Sequence, residues 1–487
     1  MAGKKDCLED DKRALLGLTV KKEEDFSEWY TQLVQKADFA DYTSVSGSMV
    51  LKPNAYQIWE KIQRAFDSKI KSTGHKNVYF PLFIPEHLFE KEKEHVQGFE
   101  PEVAWVTHAG STKLRERLAI RPTSETIMYE SYAKWIRSHR DLPLLLNQWV
   151  NIVRWEFKHP RPFLRTREFL WQEGHTVHAT REEALKEALY ILDEYVDLME
   201  NWLAVPVLKG KKTPMEKFPG AEETFTMEAL MPNGKALQMG TSHFLGQNFS
   251  KPFGIKFLDE DGKEKYAWQT SWGISTRLIG AIIMAHGDDR GAIIPPRLAE
   301  NKLVIVPIVF EESKKEVLKK ARELKQALAA FNPILDDRDV YSAGWKFNEW
   351  ELKGIPLRVE VGPKDLAKKQ VVLVRRDSHA KETVKEKDLE NAVKQTLEKI
   401  QRSLLTKQKR FLQENTVEAK NRSEFLQALE ENKLVLAGFC ERRECEEAIK
   451  DETGASNRLI PFHAQKAEKC AYCGKPAKRK SYFSKAY

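Results

Sequence analysis

Apolar residues recur at helical steps in two long stretches of the chain and crowd into short runs elsewhere, and this contrast lays out its elements. Ile58, Ile62, Phe66 and Ile70 share one face of a helix predicted over 54–74, with Pro53 near its start and Gly74 at its end. A strand is expected over 77–85. Leu185, Leu189, Leu192, Val196, Met199 and Leu203 mark a second amphipathic helix over 181–203. Between these helices lie strands rich in arginine and aromatic residues, without steady strand–helix alternation, which predicts an antiparallel sheet flanked by helices. After Pro295-Pro296 the rhythm changes. A continuous apolar strand over 302–310, a helix over 311–331, a short strand over 333–336, a helix over 344–354 and strands over 355–361 and 370–376 predict a small parallel or mixed α/β unit. A helix is expected from 386 to about 420, leading to a cysteine-bearing tail. The fold class is therefore α+β and α/β multidomain: a flexible extension over 1–22, a first unit over 23–296, a second over 297–400 and a small α+β module over 401–487.

Length supports that division, since 487 residues exceed what one core serves. A hydrophobic content of 41% with 12 Trp and 24 Phe excludes a disordered chain. The 31% charged residues, with no apolar run of membrane length, exclude a bilayer-spanning one. The opening MAGKKDCLEDDKR lacks the apolar core of a secretion signal and Ala2 stands where myristoylation needs glycine, so a cytosolic location is expected. Net charge is +8, from 80 basic and 72 acidic residues, too small to name a partner. Basic runs at Lys407, Lys409 and Arg410 and from Lys466 through Lys469, Lys475, Lys478, Arg479, Lys480 and Lys485 could meet nucleic-acid phosphates, although solvated charge is the commoner explanation.

Four of the five cysteines, Cys440, Cys445, Cys470 and Cys473, follow residue 439. In a reducing compartment this spacing suits a tetrahedral structural Zn2+ with no open position for chemistry, the alternative being four unrelated thiols. Cys7 is left over.

The densest chemistry lies between Arg121 and Glu173, where RPTSE, VRWEF and FLRTREFLWQE interleave arginines and carboxylates with Phe and Trp. Charged groups are seldom buried unpaired, so a polyanion carrying a flat ring would account for the pattern. Arg154, Arg165 and Arg167 can fork onto phosphate oxygens, Phe169 can lie against a base, and Trp171 can wall an apolar slot. The segment reads as a nucleotide site.

RPTSE at 121–125, VRWEF at 153–157, FLRTREFLWQEGH at 163–175, QMGTSHFLGQNF at 238–249 and WGISTRLIG at 272–280 together resemble the prolyl-tRNA synthetases, class IIa, in their archaeal/eukaryotic-like form with a C-terminal zinc-binding domain. The likeness runs from about residue 23 to the end. It places motif 1 around Pro81, motif 2 at Arg154 and Glu156, and motif 3 at Arg277. It implies ATP-dependent ligation of L-proline to tRNA(Pro) through a prolyl-adenylate, with release of AMP and diphosphate. Arg154 would hold the α-phosphate and the proline carboxylate, Arg277 the γ-phosphate, and Phe169 the adenine. Arg165, Thr166, Gln238, Thr241 and Ser275 match ATP contacts, with Gln238 also near Mg2+; Ser275 departs from the more frequent threonine but keeps the hydroxyl. Thr123 and Glu125 match acceptors for the imino group and His243 a pocket histidine, while Trp171 and Phe218 could wall the ring and Glu173 completes the proline set. Taken singly, Glu125 could merely favour a helix start, His243 be a structural histidine, and Arg154 and Arg277 form surface salt bridges; their joint occurrence in order is what carries the resemblance.

The unit over 297–400 resembles an anticodon-binding domain, with Arg338, Lys346 and Glu351 as its readers or, nearly as well, as packing residues. Terminal Tyr487 and the cysteine module match the same subgroup, and a homodimer follows by analogy. No cysteine lies between Cys7 and Cys440, which excludes the Cys-His-His zinc site of threonyl-type relatives. The interval from Glu173 to Gly273 leaves no room for a large editing insertion, so alanine is expected to be misactivated. The rival is a synthetase-like regulator that binds tRNA without chemistry, which would be expected to have lost a motif arginine.

Overall fold

The computed structural model describes residues 17–93, 102–155 and 160–487. The helix predicted over 54–74 is Pro53–Ser72, with proline at its first turn, and it buries Ile58, Trp59, Ile62, Phe66 and Ile70. It packs with helices Arg181–Asp197 and Arg277–His286, and Phe26–Lys36 packs on the last of these. Their shared core holds Trp29, Trp59, Phe66, Tyr195 and Trp272. The second predicted helix changes winding at Asp197, where a π-helical turn, Leu198–Trp202, carries the chain on while still burying Leu198 and Met199.

These helices cover one face of an 11-stranded sheet. In spatial order its strands are Thr416–Ala419, Leu434–Phe439, Arg479–Lys485, Ala455–Pro461, Leu208–Lys211, Glu223–Leu230, Ala236–Gly246, Trp268–Ser275, Glu168–His178, Leu144–Val153 and Lys76–Asn77. The strands from Leu208–Lys211 to Leu144–Val153 pair antiparallel, as expected. Trp272 faces Gly174 across the ladder, and a Cβ on Gly174 would stand 2.2 Å from the indole ring, so glycine lets the tryptophan lie flat on the helix side of the sheet. The single strand expected over 77–85 is instead two: Lys76–Asn77 joins the large sheet, and Phe83–Pro85 joins a separate sheet with Thr112–Ile120 and Trp105–Ala109. Pro81, which has no N–H to give a ladder, lies in the break.

The α/β unit has a five-stranded sheet in the order Ile334–Leu335, Leu303–Pro307, Leu357–Val361, Gln370–Arg375, Lys381–Lys385. The first three strands are parallel and the last two join antiparallel, so the sheet is mixed. Leu303, Ile305, Ala321, Leu324, Val359 and Val393 form its own core. The helix expected to about 420 is Leu389–Glu414; the residues beyond it form strand Thr416–Ala419. That strand opens the C-terminal module, whose sheet is continuous with the first unit's through Ile460 opposite Lys211 and Pro461 opposite Gly210. Of the extension over 1–22, residues 17–22 are described, and Lys22 is docked rather than loose: its Nζ donates to Met284 O at 2.8 Å and Gly287 O at 2.7 Å. Among the described residues no helix is long and apolar enough to cross a membrane.

Candidate active site

Period-two alternation brings Trp171, Glu173 and His175 onto one face of strand Glu168–His178, away from the helices. Across the ladders His175 faces Ser271, which faces His243; Glu173 faces Gly273, which faces Thr241; and Trp171 faces Ser275. Gly273 adds no side chain between its neighbours. The result is a cleft of about 470 Å³, lined also by Thr123, Glu125, Arg154, Phe169, Phe218, Gln238 and Arg277.

One end of the cleft is acidic. Glu125 opens helix Glu125–Trp135 and accepts a hydrogen bond from Thr123 Oγ1. Its carboxylate, that of Glu173 and the His175 ring have polar atoms within 4.8 Å of one another. Glu173 is almost fully buried, accepting from Ser124 Oγ, from Gln148 Nε2 at 2.6 Å and from His175 Nε2 at 3.0 Å. Burial presses its pKa upward, but His175, Ser124 and Gln148 together hold it below the usual carboxylate value. Burial likewise presses His175 toward the neutral form, and Glu173 with Glu125 more than reverses this, so its pKa is raised. His175 Nδ1 stands 3.1 Å from Tyr129 Oη, so both ring nitrogens are engaged and the trio is joined as a hydrogen-bonded cluster. Two carboxylates against one imidazolium leave this end negative. Beside it His243 is kept neutral, its pKa pushed down to about 3 by burial and by the charge of His175. Its Nδ1 lies 3.0 Å from Thr224 Oγ1, which also accepts from Phe218 N at 3.0 Å. The Phe218 and His243 rings are 4.8 Å apart and, with Trp171, give this end a flat apolar wall.

The other end is basic. Arg154 donates from Nε to Pro122 O at 3.1 Å, and its guanidinium lies 5.8 Å from the Phe169 ring centroid and 5.4 Å from that of Trp171. Arg277 begins helix Arg277–His286, its backbone N–H held by Ser275 Oγ at 3.3 Å. Among the described residues its guanidinium reaches two carbonyls, Gln238 O at 3.3 Å and Leu164 O at 3.4 Å, and its Nε is shut from solvent with no partner there. Burial, then the charge of Arg154, bring its pKa down to about 10, with Glu228 opposing and Arg165 and Arg458 adding to the effect. An anion at this end would relieve both the orphaned donor and the mutual repulsion.

Thus Thr123, Glu125, Arg154, Phe169, Trp171, Glu173, Phe218, Gln238, Thr241, His243, Ser275 and Arg277 line one cleft. Glu156 lies outside the described residues. Thr166 is buried and Arg165 exposed, and neither lines the cleft, although Arg165 is near enough to act on Arg277. Arg167, expected to fork onto phosphate, instead donates to Ser46 O at 2.9 Å and lies 4.5 Å from the Trp155 ring. Arg121 is a buried structural arginine that donates to Phe80 O at 2.7 Å and Asn151 O at 2.9 Å. The sequence reading did not single out His175, Thr224 and Ser271. For His175 the signal was present, since it continues the i, i+2 series of Trp171 and Glu173.

In the α/β unit, Arg338 grips Asp336 with two hydrogen bonds, 2.8 and 2.7 Å, and stacks over Tyr341 and Trp345, whose rings are themselves stacked at 3.7 Å. Lys346 is buried, with Nζ on Asp336 O at 3.1 Å, and Glu351 accepts from Arg358 at 2.8 Å and Arg290 at 3.4 Å at the junction with the first unit. All three side chains are held in internal pairs, Arg338 by Glu349 as well as Asp336. In the C-terminal module all four described cysteines are unbridged; Cys440 and Cys473 Sγ are 3.7 Å apart, and Cys445 and Cys470 3.8 Å. A tetrahedron of sulfurs about 2.3 Å from Zn2+ has edges of about 3.8 Å, so the set has the dimensions of a closed tetrathiolate centre.

The family model described as tRNA synthetase class II core domain (G, H, P, S and T) matches residues 106–286, that of the anticodon binding domain matches 302–396, and that of the prolyl-tRNA synthetase C-terminal region matches 422–487. The chain is 52% identical over 468 residues to a protein named Proline--tRNA ligase from Natranaerobius thermophilus, covering 95% of this chain and 97% of the relative. It is 54% identical over 468 residues to a Proline--tRNA ligase of Alkaliphilus oremlandii, covering 96% and 97%. It is 52% identical over 469 residues to a Proline--tRNA ligase 2 of Bacillus cereus, covering 96% and 98%.

Proposed function

The chain belongs to the prolyl-tRNA synthetase family, and we propose that its cleft is where L-proline and ATP are joined as prolyl-adenylate before transfer to tRNA(Pro). The observation that carries this reading is the opposed polarity of one cavity, negative at Glu125, Glu173 and His175 and positive at Arg154 and Arg277. Proline's secondary ammonium is a cation with two N–H donors beside an apolar ring, and the acceptors Thr123 and Glu125 with the wall of Trp171, Phe218 and His243 suit it. Glu173 acts one step back, its oxygens already taken by Ser124, Gln148 and His175.

The proline carboxylate is ionised at neutral pH, so its attack needs no general base. Arg154, between the two ends, holds carboxylate and α-phosphate together. The carboxylate oxygen bonds to the α-phosphorus, the bond to the bridging oxygen breaks, and diphosphate leaves with the electron pair. Arg277 draws the γ-phosphate back while Phe169 stacks on adenine, which leaves alignment and charge neutralisation as the main catalytic terms. Thr241 and Ser275 offer hydroxyls along the floor. Arg165 and Thr166, outside the cleft as it stands, and Glu156 complete the ATP set. Gln238 would contact a Mg2+ accompanying the triphosphate, which when bound would supply charge screening of the phosphates. A terminal ribose hydroxyl of tRNA then attacks the adenylate carbonyl: the ester bond forms, the acyl bond to the phosphate oxygen breaks, AMP leaves with the electron pair, and the hydroxyl proton passes to the departing phosphate.

Arg338, with Tyr341 and Trp345, offers the α/β unit a cationic stacking surface for anticodon bases. Lys346 and Glu351 shape that unit rather than read bases. Cys440, Cys445, Cys470 and Cys473 would hold a structural Zn2+ that ties the C-terminal module together. Tyr79 and Phe83, 72% and 46% exposed beside Pro81, support a homodimer through motif 1. A cytoplasmic location follows from the tRNA substrate and unbridged thiols. The proposed domain limits are those of the sequence analysis, with the first and last units joined through the sheet.

Proline-dependent ATP–diphosphate exchange tests the assignment. Wild-type protein should exchange with proline, and Arg277→Gln should raise KM for ATP far more than KM for proline. Exchange that is absent with proline, or unaltered in Arg277→Gln, refutes it.

A further inference from the structure

Residues 210–213 lead into the turn Thr213–Pro219, whose Glu216, Lys217, Phe218 and Pro219 roof the amino-acid end of the cleft. Each of the four residues is held by the C-terminal module. A Cβ on Gly210 would stand 2.3 Å from Ile460 O, so the two backbones meet where only glycine fits. Lys211 pairs with Ile460 in the sheet. Lys212 is buried, with Nζ on Arg458 O at 2.7 Å and on Glu228 Oε1 at 2.9 Å, while Arg458 closes on Glu228 Oε2 at 2.8 Å. Thr213 Oγ1 donates to Glu446 Oε1 at 2.9 Å, and both residues are buried. The same hydroxyl accepts from Glu216 N at 3.3 Å, and Thr213 O accepts from Lys217 N at 2.9 Å. The Thr213 hydroxyl therefore joins the first turn of helix Arg443–Thr453 to the start of the roof.

We propose that the C-terminal module is a working part of the amino-acid site: through the Glu446–Thr213 hydrogen bond it sets the height of the Phe218 roof, and Glu446 and Thr213 are positioning residues for proline. This rests on the assignment of that end of the cleft to proline. Its consequence is selective. A roof released from Glu446 changes the space left for the pyrrolidine ring, whereas Arg154 just past strand Leu144–Val153, Phe169 on strand Glu168–His178 and Arg277 at the start of its helix do not hang from Thr213. Proline affinity should fall while ATP affinity holds.

The test is diphosphate exchange on the full-length protein. Thr213→Val keeps shape and removes the hydroxyl; Glu446→Met keeps length and removes the acceptor. Each should raise KM for proline roughly three- to tenfold, the effect of one net hydrogen bond, with KM for ATP within twofold of wild type. Thr213→Ser and Glu446→Gln retain donor and acceptor and should restore KM for proline to near wild type. Phe218→Ala runs alongside to test the underlying assignment. If it raises KM for proline and Thr213→Val does not, the clamp is wrong and the site assignment stands. If Phe218→Ala leaves KM for proline unchanged, the assignment fails and takes the clamp with it. Equal rises in both KM values, or failure of both conservative variants to restore proline affinity, also overturn the proposal. Should Thr213→Val not fold, Glu446→Met against Glu446→Gln gives the same comparison.

Discussion

His175→Leu removes a cation held against two buried carboxylates, and its effect has a distinctive dependence on pH. The His175 and Glu173 side chains are 1% and 3% exposed and 3.0 Å apart, so solvent screening does little to the pair. Removing one partner of a buried ion pair destabilises a protein by about 3–5 kcal/mol, because the other charge is left uncompensated. Glu173 keeps its hydrogen bonds from Ser124 and Gln148, which places the expected loss near the low end, about 3 kcal/mol. In a unit of this size that is a fall in Tm of roughly 6–10 °C. The pH dependence follows from the two shifts. His175 has its pKa raised above the ordinary 6.5, so its contribution is full below about 6.5 and is lost as pH climbs through the folded value. Glu173 has its pKa lowered below 4.5, so its contribution is full above about 4.5 and is lost as pH falls through the folded value. The variant should therefore be most deficient between about pH 4.5 and 6.5, with the deficit shrinking as pH rises through the raised folded-state value of His175. Thermal unfolding followed by tryptophan fluorescence at pH 5.5 and 9.5 measures this. A deficit below about 1 kcal/mol at pH 5.5, or one of equal size at both values, refutes the ion-cluster account.

Arg154→Lys should cut the rate of proline-dependent exchange by about a hundredfold or more, because an ammonium is a point charge and cannot bridge carboxylate and phosphate as a fork does; near-normal exchange removes Arg154 from that place. Elemental analysis should find about one zinc per chain in wild type and a large loss in Cys470→Ser, with a lower Tm for the C-terminal module; full metal content in the variant refutes the four-thiolate centre. Alanine should be activated and transferred to tRNA(Pro) without hydrolysis by the same chain, since each methylene missing from an apolar pocket is worth only about 1–3 kcal/mol of discrimination, and stable rejection of alanine at activation counts against this.

The parts of this molecule legible in its sequence are those in which neighbours along the chain share a face. Ile58, Ile62, Phe66 and Ile70 announce their helix because one helical period decides their burial. The acidic and basic residues of the cleft were found because they lie in short motifs within a recognisable order. What could not be read locally depended on partners distant in the chain. Arg165 and Arg167 are equivalent in sequence, yet Arg167 is drawn to Ser46, and the close fit of Gly47 against its side chain closes that contact. Lys346 and Glu351 carry the charges of base readers, but Asp336 claims the first, and Arg358 with Arg290 the second. The π-helical turn after Asp197 was invisible because Leu198 and Met199 stay buried in either winding. The sheet that runs from the first unit into the C-terminal module rests on Ile460 and Lys211 meeting across the fold, for which neither segment carries a local pattern.

The polarity of the cleft explains why so few of its residues need to do proton chemistry. His243 is held neutral and His175 is tied at both nitrogens, so neither ring is poised to take a proton from a substrate. In adenylate formation a base would have nothing to remove, because the carboxylate nucleophile arrives ionised. What the reaction requires is that a zwitterion and a polyanion, whose carboxylate and phosphate repel, be brought into contact. On the proposed assignment the acidic end would draw the ammonium of the zwitterion and so turn its carboxylate toward Arg154. The basic end would draw the phosphates and so turn the α-phosphorus toward the same guanidinium. Reversing either end would still permit binding but would point one reacting group away from the other. On that assignment the separation of charge between the Glu125–Glu173–His175 cluster and the Arg154–Arg277 pair would serve orientation, the term on which an activation step without a general base most depends.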